Sequence, residues 1–522
     1  MARARGGGRE GLATPPPYRL PRMPQPIVID RTLTWRQIAD VAEGEPLALS
    51  EAARARVHAA RSLVESIVRK GVRAYGVSTG VGALCDVVIE ASKQEQLSRN
   101  IVMSHAVGAG APMEATAVRA IIAAAINNFS HGFSGVRPVV TDALLALLQF
   151  DCTPQVPSSG SVGYLTHMAH IALLLIGEGR ALSHGQWISG TEALESMRLA
   201  PLVLAAKEGL SLVNGTPCAT GLAALALART ERLLNAADIV AAMTFENLHG
   251  QLAVFDADAL GLRISGGVHL VGERLRAALA GSAILSKSAG RRTQDALSLR
   301  AVPQVHGAAR DLFSHAAQVV DDELASVTDN PVVVGTVDEP RALSGANAVG
   351  AALGLGADSL GVAVAEVAAM SERRVDRLVN PLVSNLPAFL SMDEGAGSGF
   401  MIAQYTALSL VAENRRLAAP ASLDGGVTSG LQEDHLSHAT PAALKLLKII
   451  DNAQVILAIE WLAAAQAYDL QRESLSRAPY TDAVYGWLRA RIPRYDDDRP
   501  LGADIQSARE LLKRPLPELG SA

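Results

Sequence analysis

Apolar residues recur at three- and four-residue spacing along most of this chain, which is the period of a helix buried along one face. The clearest case covers 440–472, where Leu446, Ile449, Ala453, Ile456 and Ile459 form one stripe. Thr440 can cap its first turn, and Pro441 suits the first helical position. The same spacing predicts helices over 49–72, 115–129, 141–150, 216–243, 310–325, 346–374 and 400–417. The segment 362–370 is apolar on more than one face and so needs partners. Strand-like alternation is scarce, with 332–337 the best short candidate. The pattern predicts a mainly α protein: a long central helical bundle, joined by polar, glycine-rich loops, with a smaller N-terminal active-site region.

Composition narrows this further. The chain has 522 residues, 49% of them hydrophobic and 19% charged, so it can build a large core and is not a disordered polymer. Aromatics are only 4%, and the small residues that replace them favour closely packed helices. The net charge of −5 leaves no basic field for phosphates, which argues against a nucleic-acid partner. Cys85, Cys152 and Cys218 are odd in number and far apart, with no Cys/His ligand spacing. Neither a disulfide framework nor a metal site is expected, and a reducing cytoplasm suits the chain. The most apolar long stretch, 209–228, is interrupted by Asn214, Thr216 and Pro217, so no membrane span is expected. Residues 1–25 carry Arg3, Arg5, Arg9, Arg19 and Arg22 with a Pro15–Pro17 run, and read as a disordered basic extension. Met23 is an alternative start, and a nucleic-acid arm is the sharper alternative for this tail. The remainder divides into 26–215, an active-site region, and 216–522, the central bundle and C-terminal helices.

Several loops are unusually polar for so apolar a chain. Tyr75-Gly-Val-Ser-Thr-Gly-Val-Gly82 has the glycines of a mobile loop, although taken alone it reads better as an ordinary turn with a packed tyrosine. Ser104-His105 is followed by glycines at 108 and 110. Lys207-Glu-Gly-Leu leads to Asn214-Gly-Thr216, where Asn214 reads alone as a helix cap. Thr328-Asp-Asn-Pro331 reads as a turn, and Ser371-Glu-Arg-Arg374 as structural. Gln294-Asp295 with Arg300, then Glu413-Asn414 and Gln432-Glu-Asp-His435, complete the set. Singly, none is specific.

Taken in order, these blocks resemble the aromatic amino acid ammonia-lyase family, from about residue 26 to about residue 470. The resemblance rests on the loop at 75–82, SHAxGxG at 104–110, PSSGSVG at 157–163 and AHIALLLIGEG at 169–179. It continues through KEGLSLVNGT at 207–216, the block at 294–308, TDNP at 328–331, SERR, SGFMIAQYTA, EN and QEDH. It implies non-oxidative loss of ammonia from an aromatic L-amino acid. A base must remove a weakly acidic β-proton while an electrophile activates a poor leaving group. The family builds that electrophile, methylidene-imidazolone (MIO), by cyclising an internal Ala-Ser-Gly; no external cofactor or metal is implied. The resemblance further implies a homotetramer with active sites shared between chains.

Carried over by position, Tyr75 would be the general base. Asn214 would hydrogen-bond the electrophile's carbonyl oxygen, and Glu413 would contact the substrate amine or imidazole. His105 matches the position that meets an imidazole ring. Gln294 and Arg300 would hold the substrate carboxylate, with Gln432 and Glu433 as supports. His105 with Glu413 tilts the substrate toward L-histidine, giving trans-urocanate. Another aromatic lyase or a 2,3-aminomutase is the alternative. The fumarase and aspartase group is set low, because its GSxxMPxKxNP signature is absent.

Three departures stand out. Gly163 is followed directly by Tyr164, so the Ala-Ser-Gly triad expected between them is absent from the sequence, and Tyr164 stands where the family has aspartate. Either the mature protein carries the triad as one fused residue that a one-letter sequence omits, or the triad is deleted and the chain is a catalytically dead oligomeric subunit. Leu297 replaces a tyrosine and Ala348 an aromatic wall residue, which makes the pocket roomier and more apolar.

Overall fold

The helical periodicity is realised as five long helices that form the body of the molecule: α1 (Pro217–Asn247), α2 (Val302–Leu324), α3 (Ala351–Val379), α4 (Met401–Leu417) and α5 (Ala439–Asp469). The computed structural model describes residues 25–517 apart from 394 and 424, so the tail expected at 1–25 lies outside the described residues except for its last position. Helix α5 packs against α3, α1, α4 and a C-terminal helix, Gly502–Leu512, while α2 lies against α3 and α1. Burial of α5 goes beyond the single stripe in its sequence. Leu446, Ile449, Ala453, Ile456 and Ile459 are buried, but so are Gln454, Glu460 and Trp461, because neighbours surround the helix on several sides. Alanines at 223, 224, 226, 236, 237, 241 and 242 of α1 are likewise buried, and their small side chains let the axes approach closely.

The charges in this core are matched. Arg374 donates to Glu460 through Nε at 2.6 Å and Nη2 at 2.8 Å. Ser371 Oγ donates to the same carboxylate at 2.6 Å, and Thr244 Oγ1 at 2.8 Å. Arg374 and Glu460 are both fully buried, so the SERR block ties α3 to α5 and α1 through ionic hydrogen bonds.

Helix ends differ from their expected places for local reasons. Helix α2 starts at Val302, well before 310, because Pro303 fits in a first turn, where no intrahelical N–H is needed. Thr440 does not cap α5; its hydroxyl donates to the carbonyl of Gly163 at 2.9 Å, and His438 precedes the helix at φ 47°. Asn214 does not cap the start of α1, where Thr216 stands at the N-cap position; it follows the last turn of the helix Glu208–Val213 instead. The strand expected at 332–337 is Val332–Gly335, paired antiparallel with Pro340–Leu343.

Short sheets brace the 26–215 region. Ile27–Ile29 runs parallel to Leu47–Leu49, and Ala109–Pro112 pairs antiparallel with Pro157–Ser159. Thr153–Pro154, Arg180–Ser183 and Gln186–Ser189 form a third sheet. One contiguous hydrophobic core holds residues from Ile29 to Leu512. Two helical stretches, Glu208–Asn247 and Ala351–Val379, are long and apolar enough by composition to cross a bilayer; their apolar windows are 100% and 67% buried in the protein. Cys152 and Cys218 are buried free thiols, pushed up by desolvation to about 11 and about 12.

Candidate active site

Seven separate stretches of sequence converge on a cavity of about 830 Å³. Tyr75 enters from the glycine loop. Gly76 takes φ 61°, and a Cβ there would lie 2.2 Å from Leu210 Cδ2, so the turn behind the tyrosine requires glycine. Tyr75 is half-buried, and its hydroxyl oxygen accepts from Gly82 N at 3.1 Å. Burial raises its pKa, the Gly82 N–H opposes that, and Glu433 adds to the rise.

His105 ends the helix Gln94–His105, with Ser104 Oγ 3.1 Å from its Nδ1. Burial lowers its pKa, so the ring favours its neutral form. Asn214 follows the short helix Glu208–Val213 and is buried; its Nδ2 donates to the carbonyl of Asn330 at 2.6 Å. One of the two N–H donors of the amide is thereby used, and Asn214 itself lines the cavity. Asn330, Ser344, Gly345, Ala348 and Val349 also line the cavity, as do Ser429, Gln432, Glu433, Asp434 and His435.

The junction at 163–165 is tight. Gly163 has φ 147°, and a Cβ there would meet Ser437 Oγ at 2.8 Å. Its N–H donates to Ser161 Oγ at 3.0 Å, and His438 N donates to Val162 O at 2.9 Å. Leu165 sits at φ 76°, ψ −74°, with Thr166 N donating back to Tyr164 O at 3.2 Å. That is a γ-turn of the strained hand, costing about 1–3 kcal/mol for a branched side chain. Tyr164 lines the cavity beside Glu433, and burial together with that carboxylate pushes its phenol up to about 12. The segment lacks the three residues from which the family's electrophile is made, so the residues present do not fit that group.

Tyr75, His105, Tyr164, Asn214 and Gln432 therefore share one cavity, with Gly163 at its edge. Gln294, Arg300 and Glu413 do not reach it. Gln294 is exposed. Arg300 ends the short helix Leu297–Arg300 against α2 and α3, with its Nε buried and unpaired. Glu413 lies on α4 and accepts from Asn452 Nδ2 at 2.9 Å. Leu297 is 64% exposed and also lies outside the cavity, whereas Ala348 lines it. No arginine or lysine lines the cavity among the described residues, so one chain offers no cation to a substrate carboxylate.

Sequence reasoning treated TDNP as a turn and so missed Asn330 as a wall residue; its signal was a conspicuous polar block between apolar stretches. Lys207, inside an apolar run, was a second such signal.

This helical body, with its cavity of polar loops, matches the aromatic amino acid lyase family over residues 33–490, and the chain belongs to that family. It is a carbon–nitrogen lyase by class. It is 44% identical over 485 residues to a histidine ammonia-lyase of Symbiobacterium thermophilum, covering 92% of this chain and 95% of that relative. Its fold is similar to that of histidine ammonia-lyase from Trypanosoma cruzi, with TM-score 0.86 and 34% identity over 94% of this chain and 93% of the other. It is also similar to tyrosine aminomutase from Streptomyces globisporus, with TM-score 0.88 and 33% identity over 94% and 97%.

Proposed function

We propose that this protein eliminates ammonia from L-histidine to give trans-urocanate, in the cytoplasm, as a homotetramer. The observation that carries the reading is the convergence of Tyr75, His105 and Asn214 on one cavity. Tyr75 takes the β-proton, and its raised pKa makes the phenolate a strong base once formed. His105, kept neutral, meets the imidazole without opposing its charge. Asn214, which lines the cavity, would donate a hydrogen bond to the oxygen that gains charge. Gln432, which also lines the cavity, supports the substrate.

No arginine or lysine lines the cavity among the described residues, while Arg300, Gln294 and Glu413 lie elsewhere on the chain. Exposed Ile402, Tyr405 and Leu408 on the helix that carries Glu413 support a second chain packing there and delivering these residues. Arg300 then forks onto the carboxylate with Gln294 beside it, and Glu413 meets the amine.

Chemistry of this kind requires an MIO electrophile, and the sequence holds no triad for it between Gly163 and Tyr164. An intact mass exceeding the written chain by Ala-Ser-Gly minus two waters supplies it. A mass equal to the written chain leaves the second reading, a catalytically dead oligomeric subunit. The direct test is ammonia release from L-histidine, L-phenylalanine and L-tyrosine. Histidine alone should react, and silence on all three defeats the lyase reading. A β-amino acid product instead of the conjugated acid marks an aminomutase.

A further inference from the structure

Behind the cavity lies an ion pair that no step above uses. Lys207 and Asp329 have fully buried side chains, and Lys207 Nζ donates to Asp329 Oδ2 at 3.0 Å and to Ser211 Oγ at 2.7 Å. Ser211 Oγ lies 3.0 Å from the same carboxylate oxygen and 3.1 Å from Ser134 O. The other oxygen, Asp329 Oδ1, accepts from Asn330 N at 2.7 Å. Asn330 in turn holds two walls of the site. Its carbonyl takes the Asn214 amide at 2.6 Å, and its Oδ1 takes Gly345 N at 2.8 Å and Ser344 Oγ at 3.3 Å.

A buried ion pair is a poor way to gain stability. Desolvating both charges cancels most of their attraction, and apolar replacements of similar volume are often neutral or better. Its strength is geometric: with Oδ2 of the carboxylate fixed by Lys207 and Ser211, the other oxygen, Oδ1, holds the next peptide plane firmly. Burial also pulls the Lys207 pKa down, and Asp329 opposes that pull.

We propose that the Lys207–Asp329 pair is a positioning device for the site: it fixes the peptide of Asn330, and through it the Asn214 amide and the Ser344–Gly345 wall. Its effect on turnover rests on the lyase reading; its effect on the Asn214–Asn330 contact does not. Lys207→Met alone leaves a buried carboxylate unpaired and risks misfolding. The informative variant is Lys207→Met with Asp329→Asn, which removes both charges at similar volume and keeps an oxygen for the Asn330 N–H. Expected are a Tm near wild type and kcat on L-histidine down about 10- to 100-fold, with KM within about threefold. In a crystal structure of the double variant the Asn214–Asn330 contact opens beyond about 3.5 Å. Ser211→Ala, which keeps both charges, is the milder variant; kcat falls several-fold with Tm held. Wild-type kcat in both variants, or an unmoved Asn214–Asn330 contact, overturns the proposal, because a purely structural pair changes Tm and leaves turnover per folded protein intact. Should wild type release no ammonia at all, the lyase reading fails by itself and the contact distance still decides the role of the pair.

Discussion

Thr440 Oγ1 donates to the carbonyl of Gly163 at 2.9 Å, which fastens the first turn of α5 to the loop that ends at the Gly163–Tyr164 junction. Thr440 is fully buried, so water does not stand in for that donor. Thr440→Val keeps the shape and removes the hydroxyl. The lost hydrogen bond and the orphaned carbonyl should cost about 1–3 kcal/mol, measured as a shift in the denaturation midpoint at constant m-value. A midpoint unchanged from wild type refutes the fastening role.

Asn214 lines the cavity and has one of its two amide N–H donors committed to Asn330. If the second stabilises developing charge, Asn214→Ala should lower kcat about 10²- to 10³-fold with little change in KM. A variant that raises KM alone would show uniform substrate binding instead.

The phenol of Tyr75 is raised chiefly by burial, so a smaller fraction is ionised at neutral pH than for a free tyrosine. The rate should therefore climb with pH through the alkaline range, until the fold fails or another group titrates. Tyr75→Phe should be nearly inactive at every pH. A flat profile between neutral and alkaline pH in wild type removes Tyr75 as the base.

His167 gives a stability signature of the opposite limb. It is buried at 1% exposure on the helix Thr166–Leu175, and desolvation lowers its pKa to about 4. The unfolded chain binds the proton more readily, at an ordinary pKa near 6.5. Its contribution is therefore present in full above about pH 6.5 and is lost as pH falls toward about 4, a span of about 3 kcal/mol. His167→Phe should flatten that part of the stability–pH curve, as read by urea unfolding across pH 4–7. An unchanged slope assigns the acid loss to other groups.

The ease with which each of these features could be read from the sequence depends on how local its physics is. Helix α5 was legible because Leu446 to Ile459 repeat at helical spacing. Its true ends were not, because Thr440 spends its hydroxyl on Gly163, hundreds of positions away. Tyr75, His105, Asn214 and Gln432 could be named by ordered motifs, yet only folding shows that they share a cavity. The motif position of Arg300 was equally clear, but its place away from that cavity was not, since a sequence does not say which chain completes a site. The Lys207–Asp329 pair was hidden for the same reason: nothing local marks two residues so far apart as neighbours.

That division between motif and place gives the sharpest test of assembly. Tyr75 stands in the cavity, whereas Arg300 does not reach it within one chain. If each site takes Tyr75 from one chain and Arg300 from another, Tyr75→Phe and Arg300→Ala should each abolish activity in a homogeneous preparation. Co-expression of the two variants places some wild-type pairs together, because a site formed by an intact Tyr75 chain and an intact Arg300 chain lacks neither residue. Activity should return to a definite fraction of wild type, set by the statistics of mixing. Purified oligomers of the two variants, mixed without subunit exchange, should stay inactive. Failure of the co-expressed pair to recover any activity, with mixed oligomers confirmed by mass, would place both residues in the same chain's site and defeat the shared arrangement.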